Sequence, residues 1–77
     1  MKKIVPSERK YGVGTTPQTV YSVAFFYDEN HLACNKEDAY YMNIVEYDAN
    51  GNRVQETYMI STKKNQPWHY VAEMNHF

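Results

Sequence analysis

The sequence has very little of what helical cores and covalent cross-links are built from. Leu32 is the only leucine among 77 residues, and Cys34 is the only cysteine. Leucine is the usual filler of packed helices, so its scarcity argues against a helical bundle, and a single thiol cannot form an internal disulfide. No stretch approaches the roughly 18 apolar residues of a membrane span. Residues 6–10 also interrupt the apolar run that a secretory signal needs after a basic start. We therefore expect a cytoplasmic protein that does not associate with membranes.

Neither sign of charge predominates over the whole chain. Eight Lys and Arg residues oppose nine Asp and Glu residues, a net charge of −1, which argues against both a DNA-coating protein and an acidic mimic of nucleic acid. The charge is unevenly distributed, because residues 1–19 carry +3, residues 20–60 carry −5 and residues 61–77 carry +1. This segregation favours self-association or a shaped binding face.

Tyrosine and valine are abundant instead. The chain has eight tyrosines and 16% aromatic residues, too many for a disordered chain, and Tyr, Val, Ile and Phe favour strands. Its length allows one small domain. We predict a mainly β fold, a single domain over 1–77 of four or five antiparallel strands in a meander or half-barrel, with at most one short helix. An α+β fold is the alternative.

The pattern of apolar residues divides the chain into an arm and four strands. Residues 1–18 are basic and rich in turn residues, which predicts an irregular arm, with a short edge strand at Ile4-Val5 or Tyr11-Val13 as the alternative. Both faces of 19–27 are apolar, which predicts a strand covered on each side, on one side by a second molecule. Asn35 before Lys36 and two acidic residues is typical of a helix start, so 35–47 is either strand or helix. The predicted strands are 19–27, 40–48, 53–62 and 68–74.

Asn50-Gly51 is the strongest local signal, because both residues accept the positive φ of a hairpin turn. A two-residue loop pairs Met42 with Met59, whereas a type I turn with Gly51 in a bulge shifts the pairing by one residue. We favour the first register because it separates an apolar face, the expected core, from a mainly polar one. That apolar face consists of Tyr41, Val45, Tyr47, Val54, Tyr58 and Ile60.

No pattern in the chain is typical of catalysis or of metal binding. Four residues could in principle hold zinc, but they lack the paired Cys-x-x-Cys or His-x3–5-His spacing of structural sites. No serine lies in a nucleophile motif, and the glycines do not follow a phosphate-loop spacing. We predict no cofactor, no metal and no enzymatic activity. The four zinc candidates are His31, Cys34, His69 and His76.

The tyrosines allow three interpretations: a core, a protein interface, or a platform that stacks bases. We predict a non-catalytic protein-binding or regulatory protein, an accessory or inhibitory factor. Asn, Lys and Tyr, which have AT-rich codons, are abundant, which favours a low-GC bacterial or phage genome. We expect a homo-oligomer whose partner is another protein. The alternative is a single-stranded nucleic-acid binder that uses the tyrosines and the basic arm. No motif assigns the chain to a family.

The candidate contact residues lie at the edges and ends of the expected sheet. Met42, Met59 and Trp68 are the predicted anchors, because methionine adapts to a partner and tryptophan is a frequent hot spot. The competing interpretation places all three in the core. The remaining candidates are Tyr40, Lys63 and Lys64.

Overall fold

The computed structural model describes residues 7–64 and 66–76. They form one open sheet in which each strand pairs antiparallel with the next along the chain. The prediction of a mainly β antiparallel meander is confirmed. Over the described residues, the one helical element is a 3-10 turn at Lys36–Asp38, and no helix has the length and apolar character of a membrane span. The strands are β1 (Ser7–Tyr11), β2 (Tyr21–Tyr27), β3 (Tyr41–Tyr47), β4 (Arg53–Lys63) and β5 (Gln66–Asn75).

The four expected strands lie within two residues of their predicted ends, but the arm differs from its prediction. Residues 1–6 lie outside the described residues, and Ser7–Tyr11 forms an edge strand rather than an irregular segment. Its Arg9 lies opposite Val23 of β2. A charged sequence is compatible with an edge strand, because one side of that strand faces water.

The β3–β4 hairpin combines the two registers that the sequence left open. The Gly51 N–H donates to the Asp48 carbonyl at 3.1 Å, and Gly51 has a φ of 79°, as in the turn with a glycine bulge. A second irregularity follows, because Tyr47 pairs with Arg53 while Glu46 pairs with Gln55, which leaves Val54 as the extra residue. This bulge restores the favoured pairing, and Met42 lies opposite Met59.

One side of the sheet, which we call the tyrosine face, carries six tyrosines. Side chains that lie directly opposite each other share a face, and the pairing places on this side Tyr11, Tyr21, Tyr27, Tyr41, Tyr47 and Tyr58. Beneath them Val23, Val45 and Val54 are buried. A tyrosine ring covers apolar neighbours while its hydroxyl stays in water, so these rings replace the second layer expected over the strand 19–27.

The opposite side, the loop face, is covered at both ends by connections between strands. At one end Cys34 and Ala39 of the β2–β3 connection pack on Phe26, with Met42 and Trp68 beside them. The hairpin residues on this face were expected to be mainly solvent-exposed polar residues, but Glu46, Gln55 and Ser61 are all buried.

At the other end of the loop face, the β1–β2 connection is hydrogen-bonded to Glu46. The Glu46 carboxylate accepts hydrogen bonds from the Thr15 N–H at 2.7 Å, the Thr15 hydroxyl at 2.9 Å and the Thr19 hydroxyl at 2.8 Å. Gly14 permits this approach, because a Cβ there would lie 2.3 Å from Thr19 Cγ2.

Candidate functional site

A groove of about 420 Å³ runs over one end of the tyrosine face. Its volume falls within the roughly 300–1,000 Å³ of small-molecule and side-chain pockets. The walls are mainly aromatic and aliphatic, which suits an apolar group of a ligand. The residues that line it are Tyr27, His31, Tyr41, Met42, Asn43, Tyr58, Met59, Ile60 and Val71.

His31 occupies the rim of this groove in a position that favours glycine. The turn Asp28–Leu32 has the same hydrogen bonds as the turn Asp48–Asn52: the first carbonyl accepts from the fourth N–H, and the first carboxylate accepts from the third and fifth N–H groups. His31 takes the place of Gly51 and has a φ of 63°. Its ring stacks on Tyr41, with centroids 4.2 Å apart and an interplanar angle of 18°.

Beside the groove, a buried carboxylate fixes the tyrosine at its floor. Glu56 is 5% exposed and accepts hydrogen bonds from the Tyr58 hydroxyl at 3.1 Å and from Asn43 Nδ2 at 3.2 Å. Its other oxygen lies 2.6 Å from His76 Nε2 and 3.8 Å from a guanidinium nitrogen of Arg53.

The hydrogen bonds keep this carboxylate ionised despite its burial. Burial raises the pKa of Glu56, but the hydrogen bonds from Asn43, His76 and Tyr58 lower it, as does the charge of Arg53, and the net result is a lowered pKa. The pKa of Tyr58 is raised, first by burial and then by Glu56. Tyr58 therefore stays a protonated donor whose ring is held in one orientation.

A second aromatic group lies at the other end of the tyrosine face. The rings of Tyr21 and Tyr47 stack with centroids 5.0 Å apart, and Tyr11 leans against Tyr21 at 5.5 Å. The Arg9 guanidinium lies 5.1 Å from the centre of the Tyr21 ring. This is a cation–π contact on an exposed surface.

The four zinc candidates do not converge. His31 stacks on Tyr41 on the tyrosine face, whereas Cys34 is buried against Phe26 on the loop face. Over the residues that the structure describes, no three His, Cys, Asp or Glu side chains come close enough to hold a metal ion. Burial, and after it the nearby carboxylates, raise the pKa of Cys34, so its thiol is a weak nucleophile at neutral pH.

The six predicted contact residues are distributed over separate places. Met42 and Trp68 meet in a depression of about 270 Å³ on the loop face, where both pack on the Phe26 cluster. Tyr40 and Lys64 line a different depression, and Lys64 lies 3.8 Å from Asp38. Met59 of β4, like Met42, also lines the groove over the tyrosine face, and Lys63 is the last residue of β4.

Sequence reasoning placed Tyr41, Tyr58 and Ile60 in the core and did not single out His31 as a contact residue. Two signals in the sequence point to the groove. When five strands take up most of a 77-residue chain, few residues remain to form a second layer over the sheet. The stretch Asp28-Glu29-Asn30-His31 also resembles Asp48-Ala49-Asn50-Gly51, with histidine in place of glycine.

Comparison with known proteins finds no matching family model, no similar curated protein and no similar solved structure.

Proposed function

We propose that this chain is a non-catalytic binding protein that engages another protein through its tyrosine face. The observation that carries this proposal is the groove of about 420 Å³ among tyrosine rings, on a side of the sheet that no other layer of the described residues covers. Tyrosine is enriched at the centres of protein interfaces, where its ring supplies contact area and its hydroxyl supplies a hydrogen bond. The groove receives an apolar or aromatic side chain of the partner.

The charges on this face indicate which surroundings that side chain has. Arg9 and Arg53 lie on or beside the tyrosine face. The Arg53 side chain is 59% exposed, and Arg9 lies in an exposed stretch of β1. Glu56, the carboxylate beside the groove, is buried and already hydrogen-bonded. The partner segment therefore carries acidic residues at some distance from its anchor, toward the end of the face where the exposed arginines lie, since these complement the arginines.

A binding face of this kind is suited to an accessory or inhibitory factor that occupies a surface of a larger protein. We place this factor in the cytoplasm of a bacterial host, as a bacterial or phage product. Its buried free thiol, Cys34, is compatible with a reducing compartment.

A single-stranded nucleic-acid binder is the second candidate function. The stacked rings of Tyr21 and Tyr47 and the guanidinium of Arg9 over Tyr21 favour it, because aromatic platforms and arginine are what unpaired bases stack on. The net charge of −1 weighs against it, since phosphate contacts dominate such binding.

A charge placed in the groove separates the two functions. Ile60 lines the groove and is 39% exposed, and Leu32, 63% exposed, is outside the residues that line it. We compare wild type, Ile60→Asp and the matched control Leu32→Asp, each checked for folding by circular dichroism, as baits in bacterial lysate. The partner is then purified and titrated.

The proposal requires a protein that binds wild type and Leu32→Asp alike and binds Ile60→Asp at least about tenfold more weakly, which is the effect of losing a central anchor. Equal binding by all three baits contradicts it. The second function is established instead if a single-stranded oligonucleotide binds at micromolar concentration, if this binding weakens steeply with salt, and if Arg9→Ala abolishes it.

A further inference from the structure

We infer that β5 is a dimerisation edge, where the part of the strand beyond Val71 pairs antiparallel with the same strand of a second copy of this chain. This inference does not rest on the proposed function, because it concerns backbone pairing at the edge of the sheet beyond Val71, whereas the proposed function concerns the groove. A long, exposed, apolar edge strand is a template for another strand.

The opposite edge of the sheet is protected against such pairing. In the part of the chain that the structure describes, β1 spans five residues, and three of them, Glu8, Arg9 and Lys10, are charged. Glu8 lies 3.6 Å from the Lys10 ammonium and 3.8 Å from that of Lys36, so charged groups surround this strand. Short, charged edges are a common protection against association.

β5 has neither form of protection over most of its length. It has ten residues, and Glu73 is the only Asp, Glu, Lys or Arg among them. Tyr70, Val71 and Met74 are 59%, 58% and 50% exposed. The Glu73 carboxylate accepts a hydrogen bond from Gln55 of β4 at 2.9 Å, so it is directed back over the sheet and does not guard the edge.

Two features restrict the pairing to the second half of the strand. Pro67 has no N–H to donate, and a bulge at Val71 interrupts the regular strand, because Tyr58 pairs with Ala72 while Met59 pairs with Tyr70. Beyond the bulge, the His76 N–H donates to Val54 of β4. Because backbone groups alternate in direction along a strand, those of Glu73 and Asn75 point away from β4 and toward a second strand.

The pairing of β5 with β4 also selects the register. Residues directly opposite each other in an antiparallel pair share a face, and Ala72 and Met74 lie on the tyrosine face while Glu73 lies on the other. A two-fold axis through Glu73 would bring two carboxylates together. An axis through Met74 matches both faces, places Met74 opposite its copy and places Glu73 opposite the neutral Asn75.

We assign the strand that pairs with β5 to a second copy of this chain, because such pairing gives a closed dimer. Two-fold pairing of β5 strands uses the unprotected edge of both copies and leaves only the two charged β1 edges, so no further chain adds. The net charge of −1 per chain gives little repulsion. The interface is shorter than that of a permanent dimer, so we expect association in the micromolar range.

Disulfide trapping tests the register directly. In a Cys34→Ala background, Met74→Cys places two thiols opposite each other at a Cα separation of about 4.5 Å, within disulfide range. The matched control Ala72→Cys lies on the same face, but its two copies are offset by about 13 Å along the strand. We expect a covalent dimer from mild oxidation of Met74→Cys and none from Ala72→Cys. A covalent dimer from the control alone overturns the proposed pairing.

A second experiment measures the association constant by sedimentation equilibrium. We expect wild type and Leu32→Lys to dimerise with similar constants, and Met74→Lys, which brings two lysines together, to associate at least about tenfold more weakly. A wild type that stays monomeric into the high micromolar range, or a dimer that Met74→Lys leaves unchanged, overturns the inference. Ile60→Asp tests the groove and leaves this association intact, so failure of one proposal is distinguishable from failure of the other.

Discussion

At the residue scale, the tyrosines explain how so short a chain sustains a sheet. Val23 and Val45 are buried although no second layer of the described residues lies over them. The stacked rings of Tyr21 and Tyr47 provide the cover, and each ring presents a hydroxyl that water can solvate. The number of tyrosines is visible in the sequence. Their role as both cover and surface is not, because composition does not reveal whether a second layer exists.

His31 has a backbone conformation that is unfavourable for any residue with a side chain. A residue with a Cβ costs about 1–2 kcal/mol in the left-handed region, a cost that glycine avoids. His31→Ala and His31→Gly both remove the ring from Tyr41, but only the glycine relieves the backbone. We therefore expect His31→Gly to be more stable than His31→Ala by about 1 kcal/mol, measured by urea unfolding.

Gly51→Ala is the matched comparison for that pair of variants. Gly51 has a φ of 79° in a turn with the same hydrogen bonds, and a Cβ there meets no atom within 4 Å. The loss of stability that Gly51→Ala causes relative to wild type should equal the difference in stability between His31→Gly and His31→Ala, within a few tenths of a kcal/mol. Equal stabilities of His31→Gly and His31→Ala would show that the backbone at His31 is not strained.

Glu56 makes the stability of the fold depend on pH in a defined direction. Because its folded pKa lies below its ordinary value of 4.5, its contribution is complete above that ordinary value and is lost as the pH falls through the lower folded pKa. We expect Glu56→Gln to cost about 1–3 kcal/mol at neutral pH and this difference to shrink on acidification. Urea unfolding at a series of pH values measures it, and two parallel curves would contradict the assignment.

At the scale of the elements, the strands were predictable and two details of their connections were not. Alternation of apolar residues and the Asn50-Gly51 turn suffice for β2, β3 and β4, because both reflect the period of the strand itself. The extra residue Val54 escaped prediction, since nothing in the flanking Arg53, Gln55 and Glu56 identifies a bulge. The turn at His31 escaped it because the glycine that identifies its twin is absent.

Trp68 tests whether the loop face is core or contact surface. It is half-buried and packs with Met42 on Phe26, so we expect Trp68→Ala to destabilise the fold. Full truncation of a buried tryptophan costs about 3–5 kcal/mol, and half-burial predicts about half of that. A variant with wild-type stability would return Trp68 to the list of partner contacts.

At the scale of the whole molecule, the two sides of the sheet have different tasks. The loop face holds a small closed cluster of Phe26, Cys34 and Ala39 under a strand connection. The tyrosine face holds the groove, and among the described residues its cover consists of its own side chains and the ring of His31. Sequence reasoning assigned the hairpin's apolar face to the core, because an apolar face is normally buried. Whether that face is covered depends on the tertiary arrangement, which periodicity does not encode.

The central claim is that the tyrosine face is open to a partner, and paramagnetic relaxation by a soluble gadolinium chelate tests it most directly. We predict that ring protons of Tyr21, Tyr41 and Tyr47 relax strongly, whereas protons of Phe26 and Ala39, which are 2% and 0% exposed, are protected. The β5 dimer leaves this result unchanged, because it extends the sheet sideways. Tyrosine rings as protected as Phe26 would show that the face is covered, and would contradict the account.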